Sequence, residues 1–336
     1  MRTPLRSPVT SAVALGAAAA CAAALAGCGS SASSSSPAAA SSASAASSAS
    51  AASTASAAAS FPVTVTAGNG VVTIKSDPAR IVSLSSTATE DLYAVGAGPQ
   101  VVAVDQYSNF PAGVPTTGLS ALTPNIEAIA KYNPSLVIAS QNTGGLVSGL
   151  AKLGIPVLIE PAVATIDAAY AQIGQIGQVT GHATQAASVV AGMKTQIAAT
   201  VRQAGSGHAG LTYYWELSAN PFFSATSSTF IGQVVGLFGL KNIADAASKP
   251  TDGGYPELSQ EYIVTAKPQV IFLADNQASD GGQTPAVVGK RPGWSGIPAV
   301  RANEVIGLND DVASRWGPRL PELVAEIAQA VKQASK

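Results

Sequence analysis

From about residue 61 the chain alternates short apolar runs with amphipathic segments. Ile81-Val82-Ser83-Leu84 reads as a strand entered from Asp77-Pro78. Thr87-x-x-Glu90 has the spacing of a capping box and predicts a helix over 87–96. Val101-Val102-Ala103-Val104 is the next strand, and Thr123-Pro124 offers a cap and a first-turn proline to a helix holding Ile126 and Ile129. Pro134 ends that helix. Leu136-Val137-Ile138-Ala139 is apolar without alternation, as expected for a sheet covered on both faces. A helix over 146–153 and the strand Pro156-Val157-Leu158-Ile159 follow. This order of strands and helices predicts a doubly wound parallel sheet.

The pattern changes near residue 165. Ile166 to Gln203 is almost wholly helical in character, with a break at Thr180-Gly181. Its second part, 182–203, would run about 33 Å as a helix. Alternation then resumes: a strand from Leu211 to Trp215, helices at 229–238 and 259–266, strands at Val270-Ile271-Phe272-Leu273 and Glu304-Val305-Ile306, and a terminal helix over 318–333. The expected fold class is α/β, two doubly wound lobes joined by a single long α-helix.

An internal repeat supports two lobes. Glu127-x-Ile129 is followed by Pro134 and the strand at 136, and Glu261-x-Ile263 by Pro268 and the strand at 270. Each Glu falls in or near a first helical turn, where a carboxylate complements the helix dipole. As a matched pair, one per lobe, they also offer symmetric acidic contacts to a two-fold partner.

The first sixty residues are not fold. Arg2 and Arg6 precede fifteen small or apolar residues at 12–26, too short for a confident membrane span and suited to a secretory signal. The run ends in Leu25-Ala26-Gly27-Cys28, which resembles a bacterial lipobox with Cys28 as the lipidated mature terminus. Cleavage there removes Cys21 and leaves no disulfide partner. Positions 29–60 hold 15 Ser and 14 Ala and no charge, so they have little to bury. The expected organisation is a signal peptide at 1–27, a lipidated Cys and flexible tether at 28–60, an N-terminal lobe at 61–165, a helical linker at 166–204 and a C-terminal lobe at 205–336.

Composition narrows the function. Lys+Arg is 18 and Asp+Glu 19, with 11% charged residues overall, so there is no basic field for nucleic acid. His182, after Gly181 near a helix start, and His208, in a Gly-Ser loop, are both expected as exposed linker residues. Two such histidines supply no imidazole-rich metal cage, and neither metal nor cofactor is expected. No G-x-S-x-G elbow or phosphate loop appears, and Gly96-Ala97-Gly98 lacks the third glycine of a dinucleotide fingerprint. An enzyme is not expected. A structural or adhesive surface lipoprotein is the alternative to a binding protein.

Arg80 to Glu90, Gly96-Ala97-Gly98 with Val101 to Val104, the two Glu…Pro segments, Ala299 to Val305 and Gly317-Pro318-Arg319-Leu320, in this order, resemble the iron-chelate and vitamin B12 substrate-binding proteins of ABC importers. The resemblance spans about 77–333. It implies an extracytoplasmic lipoprotein, a monomer tethered to the outer face of the membrane. Such a protein would deliver a corrinoid or ferric siderophore to a dimeric permease. It also implies that Glu127 and Glu261 dock on permease arginines.

A cleft between lobes should lie at the carboxyl ends of the strands. The ligand-binding candidates there are Ser85, Ser86, Thr87, Tyr107, Asn142, Trp215, Phe223, Tyr255, Arg315 and Trp316. The set is aromatic and neutral-polar with one clear cation, Arg315. That favours a large, mainly uncharged corrinoid over an anionic iron chelate.

Overall fold

A computed structural model describes residues 60–276 and 282–334. The predicted signal peptide, Cys28 and all but the last residue of the tether lie outside the described residues. The chain opens on an antiparallel hairpin, β1 (Val63–Ala67) and β2 (Gly70–Ile74), turned at Gly68-Asn69. Gly70 takes φ +95°, which a side chain would resist. Asn69 bonds the carbonyl of Val157 and the N–H of Ile159, so the hairpin turn covers a strand edge that would otherwise stay unpaired.

The N-terminal sheet has the order β4-β3-β5-β6, all parallel: β3 (Ile81–Leu84), β4 (Val101–Val104), β5 (Leu136–Ala139) and β6 (Val157–Ile159). Between these strands come α1 (Ser86–Ala94), α2 (Ile126–Ala130) and α3 (Leu146–Ala151). Alternation assigns the two faces. Ile81, Leu136, Ile138 and Leu158 pack with Ala88 and Leu92 of α1, whereas Val82, Leu84, Val137 and Ala139 pack with Ile129, Leu146 and Leu150 of α2 and α3. The continuous apolar strands are therefore buried on both sides.

The C-terminal lobe repeats the plan. Its parallel sheet has the order β10-β7-β12-β13: β7 (Thr212–Glu216), β10 (Lys241–Asn242), β12 (Val270–Leu273) and β13 (Val305–Gly307). Both sheets thus run second, first, third, fourth in chain order. In that frame β5 and β12 are equivalent, and α2 and α7 (Gln260–Ala266) are the helices that lead into them. The Glu…Pro repeat maps onto this symmetry. Not expected from the sequence are β1, β2, β10 and a small antiparallel sheet of β8 (Ser218–Ala219), β9 (Phe222–Phe223) and β11 (Glu257–Leu258). The remaining helices are α6 (Phe230–Gly236), α8 (Pro285–Val288), α9 (Pro298–Arg301), α10 (Asp310–Ala313) and α11 (Leu320–Ala334).

The linker segment holds α4 (Ile166–Val179) and the long helix α5 (Ala183–Ala204), parted at Thr180-Gly181. Gly181, at φ +81°, reverses the chain between them. They pack antiparallel: Gly177 lies against Ala186, and the Lys194 ammonium sits 4.9 Å from the Tyr170 ring centre. α5 also packs along α11. One apolar core runs from β3 and α1 through α4, α5 and α11 to Trp215 and Phe272 of the second sheet.

Three local expectations need correction. Ser85, not Thr87, caps α1, its hydroxyl accepting from the Ala88 N–H at 3.3 Å; Glu90 is turned away from any capping box. Asn125 rather than Thr123 caps α2. His208 is buried at 1% exposure and stacks edge-on with Phe238, so it is not a free loop residue.

Candidate functional site

The carboxyl ends of both sheets carry polar and aromatic side chains, but many of those chosen from sequence serve the fold. Beyond β3 and β4 the hydroxyls form a closed network. Thr89 Oγ1 lies 2.9 Å from Ser83 Oγ, Ser108 Oγ and the Ser85 carbonyl, and Ser108 Oγ donates to Asp105 at 2.7 Å. Ser85 and Thr87 are buried within this end of the lobe, and Ser86 is half-buried beside them. Asn142, exposed beyond β5, accepts from the Val147 N–H and so starts α3.

Trp215 is not a cleft wall. It is wholly buried, and its ring packs 5.6 Å from Phe272. The alternation of β7 puts Tyr213 and Trp215 on the face covered by α6 and α11. Arg315 is not a free cation either. Its guanidinium donates to Glu90 at 2.7 Å, to Asp311 at 2.6 Å, to Asn109 at 2.9 Å and to the Tyr107 carbonyl at 3.2 Å. Arg319 donates twice to the same Glu90, at 2.6 and 2.8 Å, and stacks 4.3 Å from the Phe110 ring. Glu90 is 1% exposed. These charge-assisted bonds join α1 of the first lobe to the turn between α10 and α11 of the second. Trp316 is half-buried in the same seam, its indole N–H donating to Gln172 at 3.0 Å.

What stays exposed is aromatic. Tyr107 and Phe110 beyond β4, Phe223 on the small sheet beyond β7, and Tyr255 in the loop before β11 are 54%, 40%, 38% and 45% exposed. Among the described residues no other Phe, Tyr or Trp falls in the exposed class. These four and the seam of Trp316 are the surface that a large ligand could face.

Buried carboxyl groups line both sheet ends. Burial, with Glu90 and Glu160 close by, holds Asp91 well above the usual carboxylate range, and burial pushes Glu160 up to about 7. Asp91 Oδ1 and Glu160 Oε1 accept no hydrogen bond. In the second lobe Glu216, wholly buried at the end of β7, takes both oxygens to Arg291 at 2.6 Å each. Arg291 also donates to Gln283 at 2.6 Å and lies over the Trp294 and Phe222 rings at 4.5 and 5.3 Å. Asp275 follows β12. Burial, then the neighbouring Glu216, raises it to about 7. Glu90, Arg319 and Arg291 were not among the site residues chosen from sequence. Glu90 was hidden by its capping-box spacing, and the arginines sit in turns where no periodicity marks a shared face.

No group of three or more His, Cys, Asp or Glu among the described residues is arranged to hold a metal. Nor is any described helix long and apolar enough to cross a membrane.

Residues 81–312 match the family of periplasmic binding proteins. The chain belongs to that family. An ABC transporter substrate-binding lipoprotein of Bacillus subtilis is 31% identical over 81% of this chain and 86% of its own length. A cobalamin-binding protein of Halobacterium salinarum is 30% identical over 81% of this chain and 74% of its own. The crystal structure of the periplasmic vitamin B12-binding protein of Vibrio cholerae superposes with a TM-score of 0.62 at 25% identity, covering 77% of this chain and 99% of that one. This is a family of substrate-binding transport proteins, not of enzymes.

Proposed function

We propose that this chain is the extracytoplasmic substrate-binding lipoprotein of an ABC importer, and that it captures a cobalamin-type corrinoid or a ferric siderophore between its lobes. The observation that carries this reading is the confinement of the exposed aromatics to the strand-end surfaces of both lobes. Aromatic walls suit a large, mostly uncharged ligand, because they supply rigid apolar area at little entropic cost. The relatives support a binding protein over a structural or adhesive lipoprotein.

In this reading Cys28 carries the lipid, and positions 29–60 let the monomeric body range roughly 30 Å from the membrane. Glu127 and Glu261, both exposed in first turns of the equivalent helices α2 and α7, dock the dimeric permease. Gel filtration after incubation with cyanocobalamin or with ferrioxamine B tests the ligand. The expected result is co-elution of one coloured ligand with the protein and a raised melting temperature. Co-elution of neither, with no melting shift, rejects the reading. Cys28→Ser should leave the body in the soluble fraction, and membrane retention of that variant rejects the anchor.

A further inference from the structure

The second lobe holds a carboxylate that the fold leaves unanswered. β7 and β12 are neighbours, with Glu216 in register with Leu273, so Asp275 emerges two residues beyond the strand end, beside Glu216. Asp275 is 1% exposed, and neither of its oxygens accepts a hydrogen bond from another residue. Buried polar groups nearly always find a partner, because an unmade bond costs the full desolvation of the group. Glu216 shows the usual solution: both of its oxygens are bonded to Arg291. Arg291 donates to Glu216 and Gln283 and packs on two aromatic rings, and no hydrogen bond joins it to Asp275. The strand-end arginines of the interlobe seam, Arg315 and Arg319, are likewise committed to Glu90 and Asp311.

Resting on the binding-protein reading, we propose that Asp275 is an acceptor subsite for an N–H donor of the ligand, and that the cleft selects a neutral or cationic, donor-bearing ligand and rejects anionic chelates. The charge balance explains the direction. The strand-end guanidinium groups of Arg291, Arg315 and Arg319 are each already paired with a carboxylate, whereas Asp275, like Asp91 and Glu160 of the first lobe, is not. An amide or ammonium N–H supplies the bond that Asp275 lacks. An anion has no released cation to meet, and must enter beside carboxylates in a low-dielectric site, where like charges repel strongly.

Calorimetry at pH 8, where Asp275 is mostly ionised, tests this with four probes: cyanocobalamin (neutral, amide-rich), ferrioxamine B (cationic), hemin and ferric enterobactin (both anionic). At least one of the first two should bind, and each anion should bind about a hundredfold more weakly or worse, a charge-assisted bond being gained in one case and a repulsion met in the other. Asp275→Asn removes the charge and keeps the shape. It should weaken ferrioxamine B or cyanocobalamin, whichever binds, by about tenfold. It should leave the melting temperature at pH 8 unchanged or higher, since an unanswered carboxylate is lost. An anion bound as tightly as the preferred neutral or cationic probe overturns the charge rule and leaves the binding-protein reading standing. An affinity unmoved by Asp275→Asn, or a lowered melting temperature with affinity intact, overturns the subsite and makes Asp275 structural. Failure of all four probes to bind overturns the binding-protein reading itself, and the charge rule with it.

Discussion

The Glu90 carboxylate accepts from the Arg315 guanidinium at 2.7 Å, across 225 positions of sequence. Arg319 reaches the same carboxylate, so one buried anion from the first lobe holds two cations from the second. A buried pair is weak evidence of net stabilisation, because desolvation offsets much of the attraction. Removing one partner is another matter, since it strands the charges that remain. Glu90→Gln should therefore cost about 3–5 kcal/mol of unfolding free energy. Urea denaturation of the wild type and the variant measures it, and a loss within experimental scatter would contradict the clamp.

The same pair, with the core shared along α4, α5 and α11, ties the lobes together. Hinges need a few residues free to absorb backbone rotation, and two packed helices are poor at this. Small-angle scattering of the wild type with and without cyanocobalamin should nearly superimpose. A large compaction on binding would count against a rigid seam.

Much of the fold was legible because its strands are covered on both faces and so read as unbroken apolar runs. The same property misplaced Trp215. In a run such as Thr212-Tyr213-Tyr214-Trp215-Glu216 the sequence does not say whether the last aromatic faces the core or the mouth, and the sheet face under α6 and α11 claims it. Arg315 was hard to read for a different reason. A lone arginine near a strand end looks available until its partner is found, and Glu90 lies in the other lobe. The strands β8, β9, β10 and β11 are two residues each, too short for any periodicity.

Burial separates two kinds of aromatic substitution. Trp215→Ala empties a fully buried site and should destabilise by about 3–5 kcal/mol, with ligand affinity affected only through folding. Phe223→Ala and Tyr255→Ala act on exposed rings and should leave stability within about 0.5 kcal/mol. Each should weaken ligand binding by about 1 kcal/mol or more if these rings form the wall. Paired melting and calorimetric titrations decide it, and an unchanged affinity in both exposed-ring variants removes them from the site.

Stability should fall as pH rises from acid toward neutral. Glu160 and Asp275 titrate at about 7 in the fold, against 4.5 and 3.8 for the free side chains, and Asp91 is raised well above 3.8. Between those limits the unfolded chain has lost protons that the folded chain keeps. The contribution of these groups is thus fully present below about pH 4 and is lost as pH rises through about 7. Their share of the pH dependence predicts a higher melting temperature at pH 5 than at pH 8. Glu160→Gln should flatten the profile, because its amide does not titrate. A profile unchanged by Glu160→Gln would show that this carboxyl is not the source.

The proposed docking pair gives the sharpest separation of roles. Glu127 and Glu261 lie in the first turns of α2 and α7, which lead into β5 and β12, the equivalent third strands of the two sheets. Both are exposed, and no salt bridge to either carboxylate is present among the described residues. Their service to their own helices is therefore only about 0.3–1 kcal/mol each, the usual value of a first-turn carboxylate. Across a docking surface the same charges would set orientation and encounter rate, and losing one partner of a desolvated pair costs about 2–5 kcal/mol. The double variant Glu127→Ala with Glu261→Ala should thus keep its ligand affinity, lose little in melting temperature, and fail to support uptake. Single variants should fall between, since a two-fold partner keeps one contact. Calorimetry, thermal melting and a transport assay on one preparation check all three. Normal import by the double variant would leave both carboxylates as helix-dipole partners only, and loss of ligand binding in solution would move them from the permease surface to the ligand site.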